Sequence, residues 1–243
     1  MTQTDWDKSA TAWLAHLGDE GDKGRKYVLD APMLQAVRDT GAKTALDVGC
    51  GEGRFCRMMT QEGVQTTGID PTQALLDVAR EKHPEGTYQN ARAEALPFDD
   101  NSFDLTVSYV ALIDIPNHVK AIAEMARVTR PGGHVLMSNL QPNATARARW
   151  ATEEDGGWVY DNTGRPHHYV IDDLQKERMF WASWSGIRIK QYHRPLGAYM
   201  QAFLGAGLDL ITFSEPPFIG GADALRDRYN RMPWFLMLSL IHI

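Results

Sequence analysis

The chain runs to 243 residues, 43% hydrophobic and 23% charged, so it can bury a sizeable core without disulfides or a metal. That composition excludes collagen, coiled coil and wholesale disorder. Lys and Arg total 25 against 31 Asp and Glu, a formal charge of −6, which argues against a partner gripped through a phosphate backbone. In chain order, helical spacing covers Ser9 to Leu17, a glycine- and charge-rich break covers Gly18 to Gly24, and a short helix follows. Pro32 fits its first turn and Gly41 the position past its end. An alternation then sets in. Strands are expected at Thr44–Val48, Gln65–Ile69, Thr87–Asn90, Asp104–Tyr109 and His134–Leu140, the last after a Pro131-Gly132-Gly133 turn. Helices are expected at Phe55–Thr60, Gln73–Lys82 and Asn117–Val128. Strands and helices alternating at this interval mean right-handed βαβ units and a parallel sheet.

Residues 141–195 break the rhythm with prolines, glycines and four of the seven tryptophans, Trp150, Trp158, Trp181 and Trp184. Fifty-five residues exceed a plain connection, so an insertion with structure of its own is expected. The alternation resumes with a helix at Leu196–Leu204, a strand at Leu208–Phe213, a surface helix over Arg226–Arg231 and a last strand at Trp234–Ile241. The two cysteines, Cys50 and Cys56, fit neither a zinc knuckle nor a C-x-x-C pair and point to a reducing compartment. No leader pattern opens the chain, and its longest apolar stretch, Trp234 to Ile243, is half of the roughly twenty residues that a membrane span needs. A cytoplasmic protein with no membrane partner is expected. Nothing in the sequence fixes an oligomeric state.

The most informative segment is Ala45-Leu-Asp-Val-Gly-Cys-Gly-Glu-Gly-Arg-Phe55, a strand running into a glycine-rich turn that opens a helix. Glycines 49, 51 and 53 let main chain approach a ligand closely, and the helix end offers free N–H groups. Gly68-Ile69-Asp70 ends the next strand, where a carboxylate can accept both hydroxyls of a ribose. The two features together require an adenosine-type ligand. The spacing is G-x-G-x-G, and Arg54 stands where a dinucleotide fingerprint has its third glycine. Asp47 would repel a pyrophosphate and would tolerate an ammonium and a sulfonium.

These residues, with A-E-A-L-P-F-D-D-N-S-F-D (93–104) and V-T-R-P-G-G-H-V-L (128–136), resemble the class I S-adenosylmethionine (SAM) dependent methyltransferases, in particular the small-molecule type found in ubiquinone and menaquinone biosynthesis. The resemblance implies an α/β fold: a Rossmann-like, doubly wound, mostly parallel seven-stranded sheet with a lid region inserted between the fifth strand and the following helix. It divides the chain into an N-terminal helical lid (1–43), a SAM-binding core (44–140), a substrate lid (141–195) and a C-terminal part of the sheet (196–243). The cofactor is SAM, leaving as S-adenosylhomocysteine, with no metal. Gly49, Cys50 and Gly51 would line its methionine part, Asp70 would bind the ribose, and Pro71 would pack by the adenine. Ala93 and Glu94 would meet the adenine edge, and Ser108 and Tyr109 would flank the amino group and sulfonium. Arg25 would clamp the carboxylate, or else stand as an exposed loop charge. Many relatives have Gly-Asp before the Ala-Glu pair. This chain has Ala91-Arg92, and an arginine cannot accept from the adenine amino group.

Transfer to an O, N or C atom of a small-molecule acceptor is the expected activity. Methyl transfer from a sulfonium needs alignment and exclusion of water, and a hydroxyl acceptor needs a base working near neutral pH. The candidates are His193, His168 and His167, each with a structural role as the alternative. Trp13, Tyr27, Trp181, Trp184 and Tyr192 would wall the acceptor, or the insertion's tryptophans would form a small core of their own. Competing readings are a methyltransferase acting on tRNA or a peptide, which the acidic charge disfavours, a SAM sensor, and an NAD-dependent oxidoreductase, which Arg54 disfavours.

Overall fold

A computed structural model describes residues 4–18, 21–146 and 157–243. Trp150 lies outside them. Thr4 caps helix α1 (Asp5–Leu17) in a reciprocal box with Asp7. A five-residue π-helical stretch, Arg25–Leu29, leads into α2 (Asp30–Thr40), which Gly41 ends in the left-handed conformation. The alternation follows as β1 (Thr44–Val48), α3 (Arg54–Gln61), β2 (Gln65–Asp70), α4 (Gln73–Lys82), β3 (Thr87–Asn90), β4 (Phe103–Tyr109), a 3-10 turn (Leu112–Asp114), α5 (His118–Val128) and β5 (Thr129–Leu140). The sequence places a turn at Pro131–Gly133. In the structure these residues bulge out of a longer strand, whose pairing with β4 passes from Phe103–Thr129 to Leu105–His134.

The region after β5 holds a short helix α6 (Pro142–Thr145) and two hairpins. One joins β6 (Trp158–Tyr160) to β7 (Pro166–Tyr169), and the other joins β8 (Arg178–Trp184) to β9 (Ile187–His193). The chain closes with α7 (Leu196–Gly205), β10 (Leu208–Ser214), α8 (Asp223–Arg231) and β11 (Phe235–His242). The central sheet has seven strands in the order β10-β11-β5-β4-β1-β2-β3. β1 to β5 pair in parallel, and β11 runs antiparallel between β5 and β10. The fold is therefore the Rossmann-like fold of methyltransferases that the sequence leads one to expect.

Both faces of the sheet are buried over its central strands, whereas the edge strand β10 is exposed beyond Leu208. Leu46 and Val48 of β1 and Leu236, Leu238 and Leu240 of β11 share one core with α5 and with Tyr199 and Phe203 of α7. Ala45, Leu105, Val107, Phe235 and Met237 meet Met33, Val37, Phe55 and Met59 of α2 and α3 on the other side. Successive strands run outward from β1 to β2 and β3, and outward on the other side from β4 to β5. The order reverses between β1 and β4, and the crevice at their carboxyl ends is where open α/β sheets bind ligands.

Two additions cover that crevice. α1 and the β8–β9 hairpin share a small core of their own, in which Ala10, Trp13 and Leu17 pack on Ala182, Ile187 and Ile189, with Leu75 of α4 beneath. The β6–β7 hairpin packs elsewhere, with Trp158 against Ala144 and Met232.

Candidate functional site

A cavity of about 340 Å³ opens at the switch point, within the roughly 300–1,000 Å³ of small-ligand clefts. One wall is main chain. Gly49, Gly51 and Gly53 all have positive φ, at 82°, 55° and 72°. The Gly49 and Cys50 N–H groups donate to the Ile69 carbonyl at 2.8 and 2.9 Å, which bends β1 over the end of β2. A Cβ on Gly49 would lie 2.5 Å from that of Ala111, and one on Gly53 would strike the Tyr88 ring. A Cβ on Gly51 would meet nothing within 4 Å, so this glycine faces open cavity. The Gly51 N–H donates to Asp70 Oδ2 at 3.0 Å and the Thr72 N–H to Oδ1 at 2.8 Å. The carboxylate is thus aimed by main chain, with acceptor capacity left over. Burial pushes the Asp70 carboxyl above its ordinary value, against those two hydrogen bonds.

The opposite wall is side chain. Tyr109 ends β4 and donates to Asp30 Oδ1 at 2.5 Å, and Arg54 pairs with the same carboxylate at 2.9 and 2.5 Å. Arg25, held to Asp22 at 2.5 Å, lies over the rings of Trp13 and Tyr109 at 5.1 and 5.6 Å. After Tyr109 the chain turns sharply. Val110 takes φ 57°, an outlier for a β-branched residue, with its N–H bonded to Ser138 O at 2.9 Å. That kink sets Ala111 against Gly49 and leads into the 3-10 turn ending in Asp114. Asp114 lines the cavity and accepts from Gln191 Nε2 of β9 at 3.1 Å. Burial pushes its carboxyl up to about 7, while hydrogen bonds from Gln191 and Trp6 and the charge of Arg25 pull the other way.

The cavity brings together Arg25, Gly49, Cys50, Gly51, Asp70, Pro71, Ala93, Glu94, Tyr109, Trp13 and Tyr192 from the expected set. Asp47 and Ser108 lie behind the wall, 1% and 0% exposed. Asp47 accepts from Cys56 Sγ at 3.5 Å, leaves Oδ1 without a partner, and is pushed up to about 7 chiefly by burial. Tyr27 packs on Phe218 instead. Trp181 is exposed outside the lining with Arg188 stacked at 3.9 Å, and Trp184 packs beside the small core under α1. None of the three histidines lines the cavity. His193 is fully buried, with Nδ1 to Thr145 Oγ1 at 2.7 Å and Nε2 to Leu174 O at 2.9 Å. Its bonds place it as a strut between α6 and β9. His167 and His168 are exposed on β7. Arg92 does line the cavity, paired with Glu94 at 3.4 Å. The sequence reading missed Asp114, Trp6 and Lys190. Asp114 left one signal, an acid inside the apolar run Val110-Ala-Leu-Ile-Asp-Ile-Pro116. Among the described residues no cluster of His, Cys, Asp and Glu could hold a metal, and no helix is long and apolar enough to cross a membrane.

Comparison with known proteins matches the same region. Residues 46–137 match a methyltransferase domain family. The chain is 33% identical over 127 residues to malonyl-(acyl-carrier protein) O-methyltransferase of Pectobacterium atrosepticum, covering 52% of this chain and 50% of that one. It thus spans about half the length of the curated relatives it matches. A solved structure of an S-adenosylmethionine-dependent methyltransferase from Mesorhizobium loti is 26% identical with a TM-score of 0.72, covering 86% of this chain and 96% of that one. Another, from Listeria monocytogenes, shares the fold at 24% identity and a TM-score of 0.75, covering 88% and 96%.

Proposed function

We infer that the protein is a SAM-dependent methyltransferase acting on a small-molecule acceptor. The observation that carries the reading is the cradle at Gly51: a left-handed glycine beside open cavity, with its N–H bonded to the carboxylate that ends β2. Such a wall accepts a nucleoside at van der Waals distance from main chain. The methyltransferase domain match spans that cradle.

Asp70 would hold the ribose hydroxyls, and Pro71, Ala93 and Glu94 would border the base. Arg25 stands where a ligand carboxylate would find a cation. Bound SAM would supply an electrophilic methyl group on sulfur. The chain's own contribution is to fix that ligand and exclude water, and α1 and β9 serve the second end by closing over the crevice. The acceptor would enter between Trp6, Trp13 and Tyr192, whose rings suit a flat molecule. Arg54 supports SAM over a dinucleotide, because its side chain and its ion pair with Asp30 take up the third-glycine position.

Titration calorimetry with SAM, S-adenosylhomocysteine and NAD tests this reading. Both adenosyl ligands should bind and NAD should not. Asp70→Ala should weaken SAM by about 10- to 100-fold, as expected for a hydrogen bond to a charged group contributing about 1.5–3 kcal/mol. Binding of NAD alone would overturn the assignment.

A further inference from the structure

Five carboxylates line the cavity: Asp5, Glu52, Asp70, Glu94 and Asp114. Four are tied down. Asp5 pairs with Lys190 at 3.3 Å, Glu52 with Arg57 at 2.6 Å, Glu94 with Arg92 at 3.4 Å, and Asp70 with two main-chain N–H groups. Asp114 differs. Its hydrogen bonds among the described residues come from neutral side chains, Gln191 on β9 and Trp6 on α1. It is carried on the core by the turn after β4 yet bonded into the two elements that cover the crevice.

We propose that Asp114 is the proton acceptor for a hydroxyl-bearing substrate, so that the reaction in this cavity is O-methylation of a phenol-like acceptor. The inference rests on the methyltransferase reading and extends it to the accepting atom. An amine or thiolate attacks an electrophilic methyl group unaided, whereas a hydroxyl at neutral pH is poorly nucleophilic until its proton leaves. A half-buried carboxyl that borders the cavity, with neutral donors among the described residues, is the group that can take that proton. The step balances: the hydroxyl oxygen bonds the methyl carbon, the carbon–sulfur bond breaks with its electron pair going to sulfur, and the hydroxyl proton passes to Asp114, then to water. The rings of Trp6, Trp13 and Tyr192 give a flat acceptor its walls. The charged groups acting on the carboxyl are Arg25 from the π-helical stretch and Asp70 from β2, of opposite sign. Lys190 of β9 and Asp5 of α1 border the same cavity as a mutually neutralising pair. Burial then leaves the carboxyl titrating where a base for neutral solution must.

Asp114→Asn tests this cleanly, because the asparagine carbonyl still accepts from Gln191 while the base is gone. Two phenols serve as probes with SAM: an unsubstituted phenol, protonated at neutral pH, and 4-nitrophenol, about half ionised there without any base. The wild-type protein should methylate both, with a rate on phenol that rises through neutral pH. Asp114→Asn should lose at least about 100-fold in kcat on phenol, with KM little changed, and keep most of its rate on 4-nitrophenol. Asp114→Glu should recover part of the phenol activity. Independently of turnover, the carboxyl 13C resonance that disappears in Asp114→Asn should titrate near neutrality in the unliganded protein. Equal losses on both phenols, transfer to neither phenol by a wild-type protein that binds SAM, or a carboxyl titrating in the ordinary aspartate range would each overturn the proposal. Loss of SAM binding in Asp114→Asn would overturn it too, by moving Asp114 to the donor side. Failure of the wild-type protein to bind SAM would instead overturn the parent reading.

Discussion

On the β1–β2 side the cavity wall is main chain held by main chain. Ile69 O receives two N–H groups, Asp70 receives two more, and the glycines leave no side chain to rearrange. Across from it the wall is made of side chains from α1, β9 and the turn after β4. Two of those elements rest on a small separate core in which Trp13 meets Ile187 and Ile189. The first wall is rigid because the seven-stranded sheet continues behind it. The second stands on a two-stranded hairpin and one helix, whose hold on the core is local. A fixed wall suits a ligand shared by many enzymes, and a side-chain wall suits one that differs between them. The domain match, residues 46–137, takes in the first wall and the turn after β4 and leaves out α1 and β9.

The largest effects should come from placing a methyl group on the fixed wall. Gly49→Ala puts a Cβ 2.5 Å from that of Ala111 at φ 82°. It should lower stability in urea unfolding by about 2–4 kcal/mol, the sum of left-handed strain and overpacking, and SAM binding should be lost with it. Gly51→Ala separates the two terms. It has the strain, about 1–2 kcal/mol, but no clash, and its new methyl points into open cavity. The variant should fold and bind SAM poorly. Wild-type affinity in Gly51→Ala would mean that the ligand lies on some other wall.

A smaller effect tests what lies behind the bend. Asp47 is buried with one oxygen unpartnered, and its carboxyl is pushed up to about 7. The folded protein therefore holds this proton more tightly than the unfolded chain does. Stability from this group is full below the unfolded value near pH 4 and is lost as pH rises toward 7, on the order of 4 kcal/mol in all. Asp47→Asn cannot titrate. Its stability, set against that of the wild-type protein, should improve between about pH 5 and pH 8 in thermal melts, whatever its offset at either pH. A constant difference would mean that Asp47 is ionised throughout.

The fixed wall was legible in the sequence because main-chain geometry writes itself locally. Glycines at 49, 51 and 53 and an acid at a strand end name the bend without any long-range contact. The covering wall was legible only in part, in Trp13 and Tyr192, and the reasons are specific. The tryptophans of the insertion drew attention by number, yet the tryptophan rings at the cavity are the expected Trp13 and, unforeseen, Trp6, both of α1, and a hairpin folded back onto α1 brings Tyr192 to the same cavity. His193 invites assignment as a base because of its residue type, but its two ring nitrogens are taken by Thr145 and Leu174. The chemistry of Asp114 comes from burial and neutral donors drawn from residues 6 and 191, and no window of sequence contains all three.

The smallest effect sets the outer limit of the covering wall. Trp181 and Trp13 are both tryptophans on the elements of that wall, and the sequence treats them alike. Trp13 is 9% exposed and lines the cavity, whereas Trp181 is 37% exposed and stands outside the lining, with Arg188 and Lys190 over its ring at 3.9 and 5.1 Å. Cation–π contacts in such an exposed position contribute about 0.5–1 kcal/mol. Trp181→Ala should therefore lower stability by less than about 1 kcal/mol and leave both SAM affinity and the KM for phenol unchanged. A raised KM would place Trp181 inside the acceptor site. Trp181 pairs directly with Lys190 and so shares the hairpin face that carries Lys190 and Tyr192, both at the cavity, and an acceptor reaching along that face would meet it without any rearrangement of the hairpin.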